Sequence, residues 1–293
     1  MTDILSKAIR EARSSLGDSS IRTYVSVLNS LHKKIFGGSI DLDNFKKTQK
    51  ILDDLKDMPC NRRKTILSAL VVLTGNKDFR EQMADDVAEY NRQIDKQEKT
   101  PEQEASWVTT ADVKSIFDNL QKEANAIYKK PSLKPSDLQS IQNFIIMSLL
   151  GGIFVPPRRN KDFVDFKIKN INKETDNYIS GNKMIFNSYK TAKTYGRQEI
   201  IIPPALKTIL VKWIKSNPTD YLLFDVGMNQ LSSIKLNQRL NKIFDKKVGV
   251  NQLRHTYLTN KFKTTSEENK AVKKTMTDMG SSSNMLDTYV KLD

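Results

Sequence analysis

The stretch "VNQLRHTYLTNKF" sets an arginine, Arg254, beside a histidine, His255, on an amphipathic helical pattern, and a phenol, Tyr289, follows near the end of the chain. Between them "MG" closes a helical pattern and is followed by "SSS". A guanidinium is a planar donor matched to the oxygens of an anion. A phenol can act as a covalent nucleophile. Alone, an Arg-His pair on such a helix is usually structural; the late tyrosine beyond a turn gives it company that points to chemistry.

A formal net charge of +14 and a pI of about 9.6 imply a polyanionic partner, of which nucleic acid is the commonest. The charge is spread along the chain, with no dense basic block, so a folded concave surface is expected and not a basic arm. Cys60 is the single cysteine, which excludes an internal disulfide and a multi-cysteine zinc site and suits a reducing compartment. The start, "MTDILSKAIREARSS", lacks a cationic segment followed by an apolar one. No apolar run approaches the roughly 18 residues of a membrane span. The expected setting is intracellular, in cytoplasm or nucleus, with no membrane partner.

The elements that must position these groups divide the chain. Residues 1–96 are expected to form a small helical bundle, because apolar positions recur at three- and four-residue spacing between caps. "SSIRTYVSVLNSLHKKIFGG" aligns Tyr24, Leu28, Leu31 and Ile35 on one face. "LDNFKKTQKILDDLKDM" reads as a second helix ended by Pro59, "CNRRKTILSALVVLTG" as a third, and Lys77 to Lys96 as a fourth. Residues 97–106 carry a proline and no aromatic or β-branched apolar residue, and read as a linker.

Residues 107–293 resume with "WVTTADVKSIFDNL" and the buried helix "KPSDLQSIQNFIIMSLLGG". A β region follows: "DFVDFKIKN", "NKMIFNSY" and "RQEIIIP" have strand composition, and the last two flank a polar Lys/Gly turn as in a hairpin. Helices are then expected over Ala205 to Lys215, Leu231 to Phe244, Asn251 to Phe262 and Thr265 to Met279, before a short segment bearing Tyr289.

These features resemble the tyrosine recombinase, or phage-type integrase, family. "NQLRHTYLT" is similar to its second box around Arg254 and His255, "MGSSS" to its Leu-Gly-His turn, and Tyr289 falls at the nucleophile position. "LLGGIFVPPRRNKDF" is similar to its first box, an arginine with an acidic residue three positions on, which selects Arg159 and Asp162. The "PPRR" and "YKTAKTYG" forms resemble most those of large DNA viruses and virophages.

The resemblance implies a mainly α fold with a small β-sheet or hairpin: a helical core-binding domain (1–96), a linker (97–106) and an α+β catalytic domain (107–293), closing as a clamp on double-stranded DNA. It implies Arg159, Arg254, Asn251, Ser281 and Tyr289 as catalytic residues, with a hairpin lysine. Lys190 and Lys193 both precede a threonine, and Lys190 is preferred because "YKT" closes the first strand. Arg158, with Arg62, Arg63 and Lys64 at the basic start of the third helix, is assigned to DNA contact. A homo-oligomer on DNA, dimer or tetramer, is expected, with neither cofactor nor metal.

The implied chemistry is coherent. Phosphodiester exchange needs a nucleophile, neutralisation of charge on the nonbridging oxygens, and a proton for the leaving 5′-oxygen. A phosphotyrosine conserves the bond energy. The chain departs from the family at two places: Asn251 and Ser281 stand where histidines are usual, and only His32 and His255 occur at all. Asn251 and Ser281 can donate hydrogen bonds but do not titrate near neutral pH. Two other readings remain open beside the recombinase: a DNA-binding protein of the same fold that does not cut, and a type IB topoisomerase.

Overall fold

The computed structural model describes residues 2–286 and Val290, so Tyr289 lies outside the described residues. The chain divides into two compact units, Met1–Lys99 and Thr100–Asp293. Among the described residues no helix is long and apolar enough to cross a membrane.

The first unit is a bundle of α1 (Thr2–Ala12), α2 (Asp18–Ile35), α3 (Thr48–Leu55), α4 (Cys60–Thr74) and α5 (Lys77–Asp95). Leu5, Ile9, Leu28, Phe45, Ile51, Leu67 and Phe79 share its core. The first of these helices goes beyond the sequence reading; Leu5 and Ile9 alone commit it to the core. The expected second helix is broken. Asp41 caps a 3-10 turn over Leu42–Lys46, accepting from the Asp43 N–H, and Lys47 leaves helical geometry before α3 begins. The expected third and fourth helices form, separated by Gly75 in left-handed geometry and capped by Asn76, whose side chain accepts from the Asp78 and Phe79 N–H groups.

The second unit begins in the segment read as a linker, where Pro101–Ser106 forms a short helix, α6, behind a Thr100/Gln103 capping box. It buries none of its residues. Next come α7 (Thr110–Ile127) and α8 (Pro135–Leu150), then α9 (Asn160–Val164). A four-stranded sheet follows in the order β1 (Phe166–Lys167), β2 (Asn177–Ser180), β3 (Lys183–Phe186) and β4 (Gln198–Ile201), with α10 (Ala192–Tyr195) between the last two strands. The first pair is parallel and the others antiparallel. The chain ends with α11 (Pro204–Ser216), α12 (Ser233–Phe244) and α13 (Val250–Asp278).

The core of this unit is built on α8, whose residues from Phe144 to Leu150 are all buried, with Trp213 stacked on Phe224 at 5.7 Å. The architecture is thus mainly α with one small sheet. One local expectation fails. "DFVDFKIKN" is a strand only at Phe166–Lys167; its first residues belong to α9, where the consecutive Asp162, Phe163 and Val164 are all buried, which a strand exposing alternate faces would not allow. The two expected terminal helices run on from one another, and the backbone leaves helical geometry between them at Phe262 (φ −124°, ψ 16°), where the first was expected to end.

Candidate active site

Arg159 is delivered by the turn that leaves α8. Gly152 has φ +72°, and a Cβ there would lie 2.5 Å from Cδ2 of Tyr257 on α13. Only glycine permits both this backbone and this approach. The turn that leads to Arg159 is thereby seated against the helix that carries Arg254. Arg159 then occupies the N-cap of α9. Its neighbour Asn160 donates from Nδ2 to the Ser233 carbonyl (3.2 Å) and to Asn237 Oδ1 (3.1 Å) on α12.

Arg158, expected as a phosphate contact, is engaged within the protein. Its Nε donates to Asp162 Oδ2 (2.8 Å) and its Nη1 to Gln198 Oε1 on β4 (2.8 Å), and its guanidinium lies 4.0 Å from the centroid of the Phe186 ring. The side chain is 16% exposed. The acidic partner chosen by spacing for Arg159 thus pairs through its side chain with Arg158, one residue earlier, and Arg158 fastens α9 to the sheet. Burial pushes the Asp162 carboxyl up, while the nearby arginines pull it down.

Arg254 lies in the second turn of α13, partly buried between the buried Leu253 and Thr256. Thr256 donates from its hydroxyl to the Val108 carbonyl (2.7 Å), tying the helix to the segment before α7. Burial lowers the Arg254 pKa first, and the charge of Arg159 lowers it next, with Asp162 opposing and Arg158 adding to the fall. The fold therefore brings Arg159 and Arg254 into electrostatic range across a long sequence separation. Among the described residues neither side chain has a hydrogen-bonding or ion-pairing partner. Two partly buried cations held near each other, with only the Asp162 carboxylate acting on them at a distance and no direct ion pair, form a site that favours an anion.

The loop from β3 to β4 starts beside this group. Tyr189 is buried, its ring centroid 5.2 Å from the Arg158 guanidinium, and its hydroxyl donates to the Gly196 carbonyl (2.5 Å), closing the loop on itself. Lys190 follows directly and is exposed; Lys193 is exposed on α10. Neither has a partner among the described residues.

Other expected site residues are not joined to the arginines. Asn251 is exposed in the first turn of α13 and Ser281 follows its far end, where Gly280 (φ +72°) and a Ser281 N–H to Met276 carbonyl bond (2.7 Å) close the helix in a Schellman motif. No hydrogen bond or ion pair links Asn251 or Ser281 to Arg159 or Arg254 among the described residues. In the first unit, Arg63, expected as a DNA contact, is engaged within the protein. It pairs with the buried Asp86 (2.6 Å) and donates to the Lys56 carbonyl (2.6 Å). Lys64 lies over the Tyr90 ring. Arg62 alone of the three is exposed and without a partner among the described residues.

The sequence reading missed Gly152, Tyr257, Gln198 and Asn237, which hold the arginine segments in place. The Gly-Gly pair after a buried helix was the available signal for the first. The others act through contacts distant in sequence and leave no local pattern.

No protein-family profile matches the chain, and no curated protein matches it. Among solved structures the chain is similar to a lambda integrase fragment, a dimer bound to a COC′ core site, with TM-score 0.44 and 13% identity over 87% of this chain and 86% of that one. It is similar also to a lambda integrase dimer bound to a COC′ core site (TM-score 0.45, 13% identity, 91% and 70%). A third is a lambda integrase tetramer bound to a Holliday junction (TM-score 0.44, 13% identity, 89% and 69%).

Proposed function

We propose that this chain cuts and rejoins double-stranded DNA through a 3′-phosphotyrosine intermediate, as a site-specific recombinase or integrase. The observation that carries the reading is the convergence of Arg159 and Arg254, unpartnered among the described residues, at the position of the two boxes that resemble the tyrosine recombinases. A pair of guanidiniums can hold both nonbridging oxygens of one phosphodiester and stabilise the charge that grows there in the transition state.

In this reaction the Tyr289 phenol passes its proton to water as its oxygen attacks phosphorus. The bond from phosphorus to the 5′-oxygen breaks, and that oxygen leaves with a proton from the hairpin lysine. The reverse attack by a 5′-hydroxyl restores the diester and frees the tyrosine. Lys190 is the preferred acid, since it adjoins Tyr189, which packs near Arg158. Residues 1–96 would supply the second DNA-holding domain and residues 107–293 the catalytic one, in an intracellular protein acting as a dimer or tetramer on DNA. The net charge of +14 fits such a partner.

A second reading, a DNA-binding protein that does not cut, is favoured by Asn251 and Ser281, which stand where the family has histidines and, among the described residues, make no hydrogen bond to the arginine pair. Incubation with nicked suicide duplexes carrying candidate target sites separates the two. A covalent protein–DNA adduct supports the recombinase, and tight binding without an adduct on any matched substrate supports the second reading.

A further inference from the structure

The two arginines are carried by α9 and α13, and both helices begin without a side-chain cap of their own. The N-cap of α13 is Gly249, so the first N–H groups of that helix must find acceptors elsewhere. One such acceptor comes from α12. Asn237 Oδ1 accepts from the Val250 N–H (3.4 Å) and, at the same time, from Asn160 Nδ2 (3.1 Å). A carbonyl oxygen has two lone pairs, and here both are engaged. Asn160 adjoins Arg159, and Val250 lies one turn before Arg254. One oxygen atom therefore joins the chain segments that present the two cations.

The surroundings favour this bridge. A Cβ on Gly249 would lie 3.3 Å from Asn237 Oδ1, so glycine lets α12 approach the start of α13 closely. Asn160 Nδ2 also reaches the Ser233 carbonyl (3.2 Å), which fixes the amide of Asn160 against the first turn of α12. Gly152, in the turn that leads to Arg159, makes a separate close approach to Tyr257 on α13. Left to themselves, Arg159 and Arg254 repel, and the bridge opposes their separation.

We infer that Asn237 is a positioning residue: its side-chain oxygen sets the spacing of Arg159 and Arg254 for the two oxygens of one phosphate. The inference rests on the proposed role of that arginine pair. Asn237 touches no substrate in this account; it acts through the ends of two helices.

The test uses the full chain and three variants, Asn237→Leu, Asn237→Asp and Asn160→Ala. Asn237→Leu removes the acceptor, and a displacement of about 1 Å between catalytic groups costs roughly 100-fold in rate. The expected result is a fall of about 10- to 100-fold in the rate of covalent adduct formation on suicide duplexes, with duplex affinity and melting temperature close to wild type. Asn237→Asp keeps an acceptor oxygen and stays near the wild-type rate. Asn160→Ala slows the reaction similarly and adds little to Asn237→Leu, because both break one bridge. A wild-type rate for Asn237→Leu overturns the inference, as does a loss that only tracks a fall in melting temperature.

A second measurement keeps the inference separate from the cutting reaction. Inorganic phosphate is titrated while the arginine Nε–Hε signals of Arg159 and Arg254 are followed by NMR. If the wild-type protein forms no adduct on any matched substrate, the cutting reading fails. Weaker phosphate binding in Asn237→Leu then still sustains the positioning role, and unchanged binding overturns it.

Discussion

Arg159 and Arg254 stand on segments anchored by buried groups: Asp162 and Phe163 behind the first, Leu253 and Thr256 around the second. The chain beyond Tyr257 is built differently. From Leu258 to Gly280 every residue is exposed except Ser266, Val272 and Met276, and Leu258, Phe262 and Met279 show 49%, 45% and 61% of their surfaces. The first region is held by hydrogen bonds and ring contacts to α12, the sheet and the segment before α7. The second is a helical arm with little apolar burial, and segments of that kind have low local stability. The segments that carry the arginine pair are thus preformed, while the arm beyond Tyr257 gains little of its order from the core. Under the proposed function, holding a phosphate and attacking it would be separable properties.

The largest effect expected to sharpen that contrast is on the preformed half. Arg159→Ala and Arg254→Ala should each lower adduct formation by at least about 10²–10³-fold, the usual cost of losing one oxyanion donor, with duplex binding largely retained. If either variant cuts at the wild-type rate, the preformed region is not the site.

Next comes the loop that starts beside Arg158. Lys190→Ala should slow cleavage by roughly 10²–10⁴-fold, the range of general acid help, and Lys193→Ala should do less. A 5′-thio leaving group, which barely needs a proton, should rescue the lysine that acts as acid. Rescue of Lys193→Ala alone would transfer the role to α10.

A smaller effect probes the anchoring itself. In Gly152→Ala the new methyl would meet the Tyr257 ring at 2.5 Å in a backbone at φ +72°. Overpacking of this kind costs about 1–3 kcal/mol, measurable as a shift in the urea midpoint, and cleavage should fall as Arg254 is displaced. Unchanged stability and activity would mean that the turn and α13 are not coupled.

The smallest effect belongs to the arm. Phe262→Ala should change unfolding free energy by no more than about 0.5 kcal/mol, as at other exposed positions, against roughly 3–5 kcal/mol for Trp213→Ala in the core. A large loss at Phe262 would show that the arm is packed after all.

Where caps and periodic apolar residues act within one segment, the sequence was readable. The helices at Asp18–Ile35, Cys60–Thr74 and Pro135–Leu150, the pairing of β3 with β4, and the Gly280 turn all follow from local pattern. Leu42 to Leu55 was not, since its apolar spacing is helical on both sides of Lys47 and only the backbone at that residue shows the break. The arginine pair was legible through the two boxes. Its internal arrangement was not: spacing matched Asp162 to Arg159, whereas the side-chain ion pair forms with Arg158, because the rings and amide of the neighbouring strands accept that guanidinium. Asn237 had no signal at all, because its partners come from α9 and the start of α13.

Cutting requires that the exposed arm deliver a nucleophile to the arginine pair. The most direct measurement is isolation of the covalent adduct from a nicked suicide duplex, mapping of the attached peptide by mass spectrometry, and the same reaction with Tyr289→Phe. The account predicts a 3′-phosphotyrosyl link on the peptide containing Tyr289, with no adduct from Tyr289→Phe although duplex binding is kept. An adduct that persists in Tyr289→Phe, or a wild-type protein that binds duplex tightly and forms none, would contradict it.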